Sequence, residues 1–287
     1  MRFTMAKHIS TSSLTWQRRH VASHVILILW SLVVLFPLWV MLVNSFKDKL
    51  SIYTNPFWLP SKWKFSNYTS ILKSSDFLGY FKNSFVVVVT SLFLVLLFAS
   101  LASFAFALWK TKVSRILFLF IIAGMMLPIK IASIKLLEMM KAFHLLNTIY
   151  SLPPIYVAMG LPLAVFVLTE FIREIPNELT EAALIDGASY FYIFKNIIVP
   201  LIRGPLATVA IYNLVPFWND LWFPLIFIND EKAKTLLLGV TRLFGQYQTD
   251  WSKVLAVLTL SAIPVIVLYL LLSKQFIRGL TAGAVKG

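Results

Sequence analysis

The segment from residue 84 to residue 109 contains no charged side chain over 26 consecutive positions. A helix rises about 1.5 Å per residue and bilayer hydrocarbon is about 30 Å thick, so roughly 20 apolar residues can cross it. Only 13% of the chain's residues are charged, whereas soluble domains carry about 25%. The sequence therefore predicts an all-α, polytopic membrane protein.

Hydropathy divides the chain into six predicted membrane spans separated by polar segments. The spans are predicted at residues 24–43, 84–109, 116–136, 149–170, 205–228 and 254–273. The polar segments are an N-terminal arm (1–20), a loop (44–82), a polar island (173–203), a second loop (229–253) and a tail (274–287). Six spans place both termini on the same side of the membrane.

The orientation of these spans does not follow from charge. With the termini inside, the 26 Lys and Arg residues divide into 13 inside and 13 outside, so the positive-inside rule favours neither direction. The net charge of +14 is explained by anionic lipid headgroups rather than by nucleic acid, because the basic residues lie between apolar spans.

The third span is interrupted early. Only 14 uncharged residues, 116–129, precede Lys130, and Pro128 lies just before it. This length is too short for a regular crossing. Two explanations remain open: the helix breaks where it lines a cavity, or Lys130 and Lys135 extend to the outer surface.

The polar island after the fourth span has the features of a helix start. Pro176 blocks continuation of the preceding helix, and Asn177 or Thr180 is a candidate N-cap. Glu178 and Glu181 would then place negative charge at the positive end of the new helix dipole.

The same island predicts a compact helix–turn–helix. Ala183 and Gly187 are four residues apart and share one face that lacks side-chain bulk. Gly187 suits the left-handed conformation that ends many helices. A second short helix is predicted from Tyr190 to Ile198, with Pro200 stopping it. We name this element, residues 178–199, the knob. Its position outside the apolar spans suits force transmission to a soluble partner.

The knob resembles the EAA loop of bacterial ABC importer permeases, which docks into a cleft of the ATP-hydrolysing subunit. The residues that carry this resemblance are Glu181, Ala182, Ala183, Asp186, Gly187 and, thirteen positions later, Pro200. Glu181 would order the knob by capping it or by contacting a basic group on the ATPase. The alternative is a solvated carboxylate contributing a few tenths of a kcal/mol.

Further motifs resemble those of carbohydrate permeases, and the tail, residues 278–287, resembles the ending of the MalG-like permeases of the oligosaccharide-importing branch. These motifs lie at residues 65–68, 145–148, 218–225 (Trp-Asn-Asp-Leu-Trp-Phe-Pro-Leu), 250–251, 263–264 and 278–287. Together they cover about residues 65 to 287. The chain departs from the pattern at Lys135, where relatives more often have proline.

This resemblance implies the type I ABC importer permease fold, with a transmembrane permease domain over about residues 80–275. It also implies a MalF-like second permease, two copies of an ATPase subunit and an extracytoplasmic sugar-binding protein. The chain would then lie in the bacterial inner membrane with both termini cytoplasmic. Its tail, through Gly283, Ala284 and Lys286, would reach towards the ATPase. The alternative is an importer permease for another solute class, such as glycerol phosphate, a polyol or an amino acid.

Polar residues in the fifth span are candidates for lining a sugar pathway. They are Asn213, Trp218, Asn219 and Asp220, since intramembrane polar groups usually face the bundle interior. The alternative is that they pin a kinked helix by interhelical hydrogen bonds, because Pro216 and Pro224 are expected to kink this span.

No enzyme chemistry is predicted from the sequence. The chain has no cysteine and only four histidines. His20 and His24 are spaced as His-x-x-x-His, but no carboxylate lies near them in the sequence and two histidines alone do not complete a metal site. We therefore expect no metal site and no cofactor. It also lacks the Gly-x-x-x-x-Gly-Lys phosphate loop, so ATP hydrolysis must lie on a partner. A secondary transporter would need inward-facing carboxylates or His in its spans. The first, second and sixth spans offer none apart from His24, which lies at the very start of the first span.

Overall fold

The computed structural model describes residues 10–73, 75–243 and 249–284, and within them the regular structure is helical, with no strand. The α-helices in these residues are α1 (Ser10–Ser45), α2 (Lys49–Thr54), α3 (Ser66–Lys73), α4 (Ser75–Leu108), α5 (Lys112–Ala123), α6 (Ser133–Ala142), α7 (Leu152–Arg173) and α8 (Asn177–Ile185). They continue with α9 (Tyr190–Ile193), α10 (Val199–Leu201), α11 (Arg203–Trp218), α12 (Trp222–Phe227), α13 (Leu236–Val240) and α14 (Trp251–Ala284).

Within the residues that the structure describes, four stretches of helix are long and apolar enough to cross a membrane, and the number rises to six if each of two bent helix pairs forms one span. The four are Ser23–Ser45, Asp76–Leu108, Ile149–Arg173 and Trp251–Leu271. The bent pairs are Lys112–Met126 with Ile129–Ala142, and Tyr190–Leu201 with Arg203–Trp218.

The helices differ from the predicted spans mainly at their ends. Helix α4 begins at Ser75, nine residues before the predicted start of the second span, because charged Asp76 and Lys82 had been assigned to the loop. The predicted fifth span is divided, since α11 ends at Trp218 and α12 begins at Trp222. The N-terminal arm (1–20) and the tail (274–287) lie partly outside the described residues.

The chain divides into two compact units, and the smaller one comprises the residues up to Thr69 with Asp250–Thr259. In this unit a buried Lys47 organises the polypeptide after α1. Its Nζ donates to Asn44 Oδ1 (2.9 Å) and to the Asn55 carbonyl (2.6 Å). Burial lowers the pKa of Lys47. Asn67 donates to the carbonyls of Ser45 and Lys47, so the loop is held by side-chain hydrogen bonds.

The larger unit, Ser70–Thr249 with the residues from Leu260 onward, is built around α4 and α7, which form its most extensive helix pair. Ala99 and Ser103 of α4 are completely buried, and the Ser103 hydroxyl donates to the Val165 carbonyl of α7 (3.1 Å). Small residues at this spacing let two helices approach closely. The knob and the candidate pathway residues all belong to this unit.

The third predicted span is broken, and its two parts meet at 83°. Leu127 and Pro128 are extended between the two parts (Leu127 φ −91°, ψ 116°), because proline disfavours the helical conformation in the residue before it. A cleft of about 600 Å³ lies against this break. Of the two explanations left open by the sequence, the geometry matches a break beside a cavity.

Candidate functional site

The first helix of the knob, α8, starts without a side-chain cap. Pro176 occupies the N-cap position with φ −55° and ψ 129°. The prediction that Asn177 or Thr180 caps this helix was therefore wrong: Asn177 is its first residue, and Thr180 is buried at its fourth position. Glu178 lies in the first turn, whereas Glu181 lies one turn later, beyond the strongest part of the helix dipole.

The turn after α8 is closed by two backbone hydrogen bonds. Gly187 N–H donates to the Leu184 carbonyl (3.0 Å), and Ala188 N–H donates to the Ala183 carbonyl (2.9 Å). This pair is the Schellman arrangement, in which the residue after the cap is left-handed. Gly187 has φ +81°, and a Cβ built on it would have no neighbour within 4 Å. The backbone angle, rather than lack of space within this chain, therefore favours glycine.

The second arm of the knob is longer than predicted. Ser189 caps it by accepting from Tyr192 N–H (3.2 Å). The chain then runs through α9, a π-helical turn (Phe194–Ile198) and α10. Pro200 lies inside this arm, so the prediction that it stops the helix was wrong. The wider π turn relieves the clash that a proline ring makes with the preceding turn.

The arm ends instead at Ile202, and α11 leaves it at 74°. In the structure the knob therefore comprises residues 177–201. Its inner face is anchored by buried Ile193, Phe194 and Ile198, and the Phe194 ring lies 5.6 Å from the ring of Phe104 on α4. The knob is thus packed against the helices rather than attached by a loose loop.

The outer face of the knob combines carboxylates with large exposed apolar side chains. Of the predicted coupling residues, Glu181, Ala182, Asp186 and Gly187 are exposed, and Ala183 and Pro200 are half-buried. Beside them, Ile185 is 86% exposed, Phe191 68% and Tyr192 55%. Apolar patches of this kind mark surfaces that contact other molecules. Hydropathy alone did not single out Ile185 or Phe191.

Asn213 lies in the packed contact between α11 and α7. Its side chain is 2% exposed and its Nδ2 donates to the Val209 carbonyl one turn earlier (2.9 Å). A Cβ on Gly160 of α7 would lie 2.5 Å from Asn213 Oδ1. For this residue the geometry favours helix packing over exposure to a pathway.

Trp218 is also buried, with 5% of its surface exposed. Its Nε1–H donates to the Ser261 carbonyl of α14 (3.0 Å), and its ring lies edge-on to Phe81 at 5.7 Å. The indole therefore joins α11, α14 and α4. This geometry agrees with the alternative interpretation, in which polar side chains of the fifth span stabilise a kinked helix by interhelical hydrogen bonds.

Asn219 and Asp220 occupy the break between α11 and α12. Asn219 is exposed and ends α11, donating its N–H to the Val215 carbonyl (3.1 Å). Asp220 is half-buried, and its carboxylate accepts from the N–H groups of Trp222 (3.1 Å) and Phe223 (3.3 Å). It accepts a further hydrogen bond from the Tyr156 hydroxyl of α7 (3.0 Å).

Polar and aromatic side chains surround this break. Trp222 is 45% exposed and its Nε1–H donates to Ser133 Oγ (2.9 Å). Lys130 Nζ lies 5.5 Å from the centre of the same ring. The roles of Tyr156 and Ser133 were not found from the sequence, because each depends on a contact more than 60 residues away. Of the tail residues, Gly283 and Ala284 end α14, and Lys286 lies outside the described residues.

Comparison with protein families matches residues 96–282 to the "Binding-protein-dependent transport system inner membrane component" family. The chain belongs to this family. It is therefore a multi-pass membrane permease and a transport subunit rather than an enzyme. The predicted membership of the ABC importer permeases is confirmed at the level of the family.

Similar proteins include three permeases with nearly full-length coverage. The chain is 33% identical to the diacetylchitobiose uptake system permease NgcG of Streptomyces coelicolor, over 93% of this chain and 89% of that protein. It is 34% identical to the melibiose/raffinose/stachyose import permease MelC of Bacillus subtilis, over 88% and 91%. It is 32% identical to the multiple sugar-binding transport system permease MsmG of Streptococcus mutans, over 92% and 96%.

Solved structures share the fold. The crystal structure of a bacterial ABC transporter that imports the acidic polysaccharide alginate matches with a TM-score of 0.79. The match covers 94% of this chain and 100% of that one at 19% identity. The predicted all-α ABC importer permease fold is thereby confirmed.

Proposed function

We propose that this chain is one of two permease subunits in an ATP-driven, binding-protein-dependent importer of di- or oligosaccharides. It forms half of the translocation pathway and couples to the ATPase through the knob. Family membership supports the transport role. The carbohydrate class is supported by NgcG, MelC and MsmG, whose names specify diacetylchitobiose, melibiose/raffinose/stachyose and multiple sugars.

The coupling role is supported mainly by the contrast between the two faces of the knob, one buried against the helices and the other exposed. The inner face is anchored by Ile193 and Ile198, which are at most 2% exposed, whereas Ile185 on the outer face is 86% exposed. A partner that binds the outer face therefore moves a rigid element. The knob continues directly into α11 through the bend at Ile202, so its displacement reaches the helix that carries the pathway candidates.

The assembly we propose contains a MalF-like second permease, two copies of an ATPase subunit and an extracytoplasmic sugar-binding protein. A structural relative, the alginate transporter, has been crystallised with its pentasaccharide-bound periplasmic protein, which supports the last of these. Both termini and the knob face the cytoplasm, where ATP is available. Gly283, Ala284 and Lys286 of the tail reach towards the ATPase.

Transport follows from a difference in partner binding between two states. When ATP closes the ATPase dimer, the knob moves and α7 and α11 tilt against the second permease. Such coupling requires that the partner binds the two states with different free energies. Within the pathway set, Asn219 and Asp220 lie at the break beside the half-exposed Trp222, and Asn213 and Trp218 support them by packing.

Uptake in a strain that lacks this chain tests the proposal. Labelled raffinose and diacetylchitobiose are supplied, with a labelled amino acid as control, and the strain is complemented with wild type, Gly187→Asp or Gly187→Asn. Asparagine and aspartate have the same shape and both tolerate positive φ, so the two variants differ mainly in charge. We expect wild type to restore sugar uptake, Gly187→Asp to abolish it and Gly187→Asn to retain part of it.

Two results would contradict the proposal in different ways. Full sugar uptake by Gly187→Asp at equal expression would show that the knob is not the docking element. Restoration of amino-acid uptake without any effect on the sugars would show that the substrate is not a carbohydrate, while the permease role would stand.

A further inference from the structure

A basic cleft lies where α7 leads into the knob. Its volume is about 560 Å³, and it is lined by the end of α4, the linker after it, the first two turns of α5 and the end of α7. Four lining side chains are cationic and none is acidic; the cations are Lys110, Lys112, Arg115 and Arg173. Two separate parts of the chain, residues 110–115 and the end of α7, therefore bring positive charge to one cavity.

These charges are only partly compensated within the described residues. Arg173 pairs with Glu170 (2.7 Å) and its guanidinium lies 4.9 Å from the centre of the Phe118 ring. Lys110, Lys112 and Arg115 form no ion pair with any residue that the structure describes. An anion that enters the cleft is therefore attracted chiefly by Lys110, Lys112 and Arg115, whose charges are not compensated, and less by Arg173, whose charge Glu170 partly compensates.

Apolar side chains lie beside the cations of the cleft. Phe106 and Phe118 line it, with their rings 5.7 Å apart. Along the same part of α5, Ile116 is 66% exposed and Phe120 75%. The site therefore combines a group of cations with an exposed apolar surface on the helix that lines it.

We propose that this cleft binds the phosphate headgroup of an anionic phospholipid of the phosphatidylglycerol type, with the acyl chains lying along α5. A basic cavity between membrane helices is the usual form of such a site. A free phosphate ion would use the cations but would leave the exposed face of α5 without a partner. An acidic patch on the ATPase would likewise satisfy the charges but not this apolar face.

The position of the cleft connects the lipid to the moving part of the molecule. Arg173 is the last residue of α7, and α8 of the knob begins at Asn177. Arg173 also lines a second, smaller cavity together with Thr180 of α8. A lipid headgroup held by Arg173 therefore restrains the short connection, residues 174–176, between α7 and the knob.

Lipid binding to the intact importer tests this inference. The purified complex is titrated with phosphatidylglycerol and with phosphatidylcholine in detergent, and bound lipid is counted by native mass spectrometry. The double variant Lys112→Gln/Arg115→Gln is compared with Lys49→Gln/Lys62→Gln, which removes two exposed charges from the loop after α1. Each basic side chain near an anionic headgroup contributes about 1 kcal/mol, so the first variant should bind phosphatidylglycerol roughly thirty-fold more weakly.

Phosphatidylglycerol retention that exceeds phosphatidylcholine retention and is lost only in the cleft variant would support the inference. Equal retention by all three proteins would overturn it. Displacement of the lipid by millimolar inorganic phosphate would also overturn it, since the ligand would then be free phosphate. Loss of the ATPase subunit from the cleft variant, with lipid retention unchanged, would assign the cleft to the ATPase instead.

Discussion

At the contact between α7 and α11, single atoms decide which residue can be present. A Cβ on Gly160 would lie 2.5 Å from Asn213 Oδ1 and 3.1 Å from Phe217 Cζ. A Cβ on Gly239 would lie 2.1 Å from the Tyr80 ring. These glycines are required by close packing, whereas Gly187 is required by its backbone angle. Glycine is therefore needed for two different reasons in this chain: lack of space at some positions and a left-handed backbone conformation at another.

Gly160→Ala should destabilise the permease by about 1–3 kcal/mol, because overpacking forces a close helix pair apart. The loss of stability should lower the Tm of the purified protein in detergent by several degrees. Adding Asn213→Ala should restore part of the loss, since it removes the atoms that the new methyl group meets.

The matched control is Gly79→Ala on α4, where a Cβ has no neighbour within 4 Å. Alanine favours a helix over glycine by about 1 kcal/mol, so this variant should melt at or above the wild-type temperature. If Gly79→Ala and Gly160→Ala lowered Tm equally, the packing explanation would be wrong.

At the scale of elements, side chains rather than backbone pairing hold the segment after α12 to α4. The Tyr80 hydroxyl donates to the Glu231 carboxylate, which also pairs with Lys234 (3.1 Å) and Arg242 (3.2 Å). Arg242 reaches Asp76 as well (3.3 Å). The segment from 231 to 243 is thus attached by a small network of charges.

The network predicts a dependence on pH. The hydrogen bond from Tyr80, followed by the effects of Lys234 and Arg242, lowers the pKa of Glu231 below its ordinary 4.5. The folded state therefore favours the carboxylate. Its stabilising effect is complete above pH 4.5 and is lost as the pH falls through the lower, folded-state value. Arg242 stays charged over this range, as any arginine does, and its hydrogen bond to Tyr80 raises its pKa further.

Glu231→Gln should therefore weaken this attachment at neutral pH and flatten its acid sensitivity. The measurement is amide hydrogen exchange of α13 between pH 3.5 and 6, corrected for the intrinsic exchange rate. Glu138→Gln, which breaks the exposed Lys135 pair on α6, serves as the control and should leave α13 unchanged. An identical pH profile in wild type and Glu231→Gln would contradict the role of this carboxylate.

The knob makes a separate prediction about its exposed and buried isoleucines. Ile185→Ser should change stability by less than about 0.5 kcal/mol, as surface substitutions do. It should nevertheless reduce recovery of the ATPase subunit with the permease by roughly tenfold if the residue lies at the centre of the interface.

Two comparisons separate docking from folding. Ile193→Ser replaces a completely buried residue and should lower Tm, whereas Ile134→Ser replaces a residue on α6 that is 73% exposed and should affect neither property. Normal ATPase recovery with Ile185→Ser would show that the outer face of the knob is not the docking surface.

For the whole molecule, the proposed topology can be tested directly because the chain contains no cysteine. Ile185→Cys on the knob and Lys62→Cys in the loop after α1 each introduce a single exposed thiol. A membrane-impermeant thiol reagent should label Lys62→Cys in intact spheroplasts and Ile185→Cys only in inverted vesicles. Labelling of both from one side would contradict the proposed arrangement of the spans.

The class of the protein could be predicted from the amino-acid sequence, because uncharged runs of 20 or more residues can be buried only in a membrane or a large core. The sequence also located the knob, since proline, glycine and charge interrupt the apolar pattern locally. The Gly187 turn followed from the same local rules. The positions of the N-cap, of Pro200 and of the start of α4 were predicted less well, because they depend on neighbouring helices.

The roles of the polar residues in the spans depend on how the helices pack together. The sequence could not distinguish Asn213 from Asp220, yet one is packed against Gly160 and the other is bonded to Tyr156, 64 positions away. The basic cleft likewise depends on Arg173 lying beside the start of α5. Such sites arise from long-range packing, which hydropathy and local spacing do not encode, and so they became visible only when the helices were assembled.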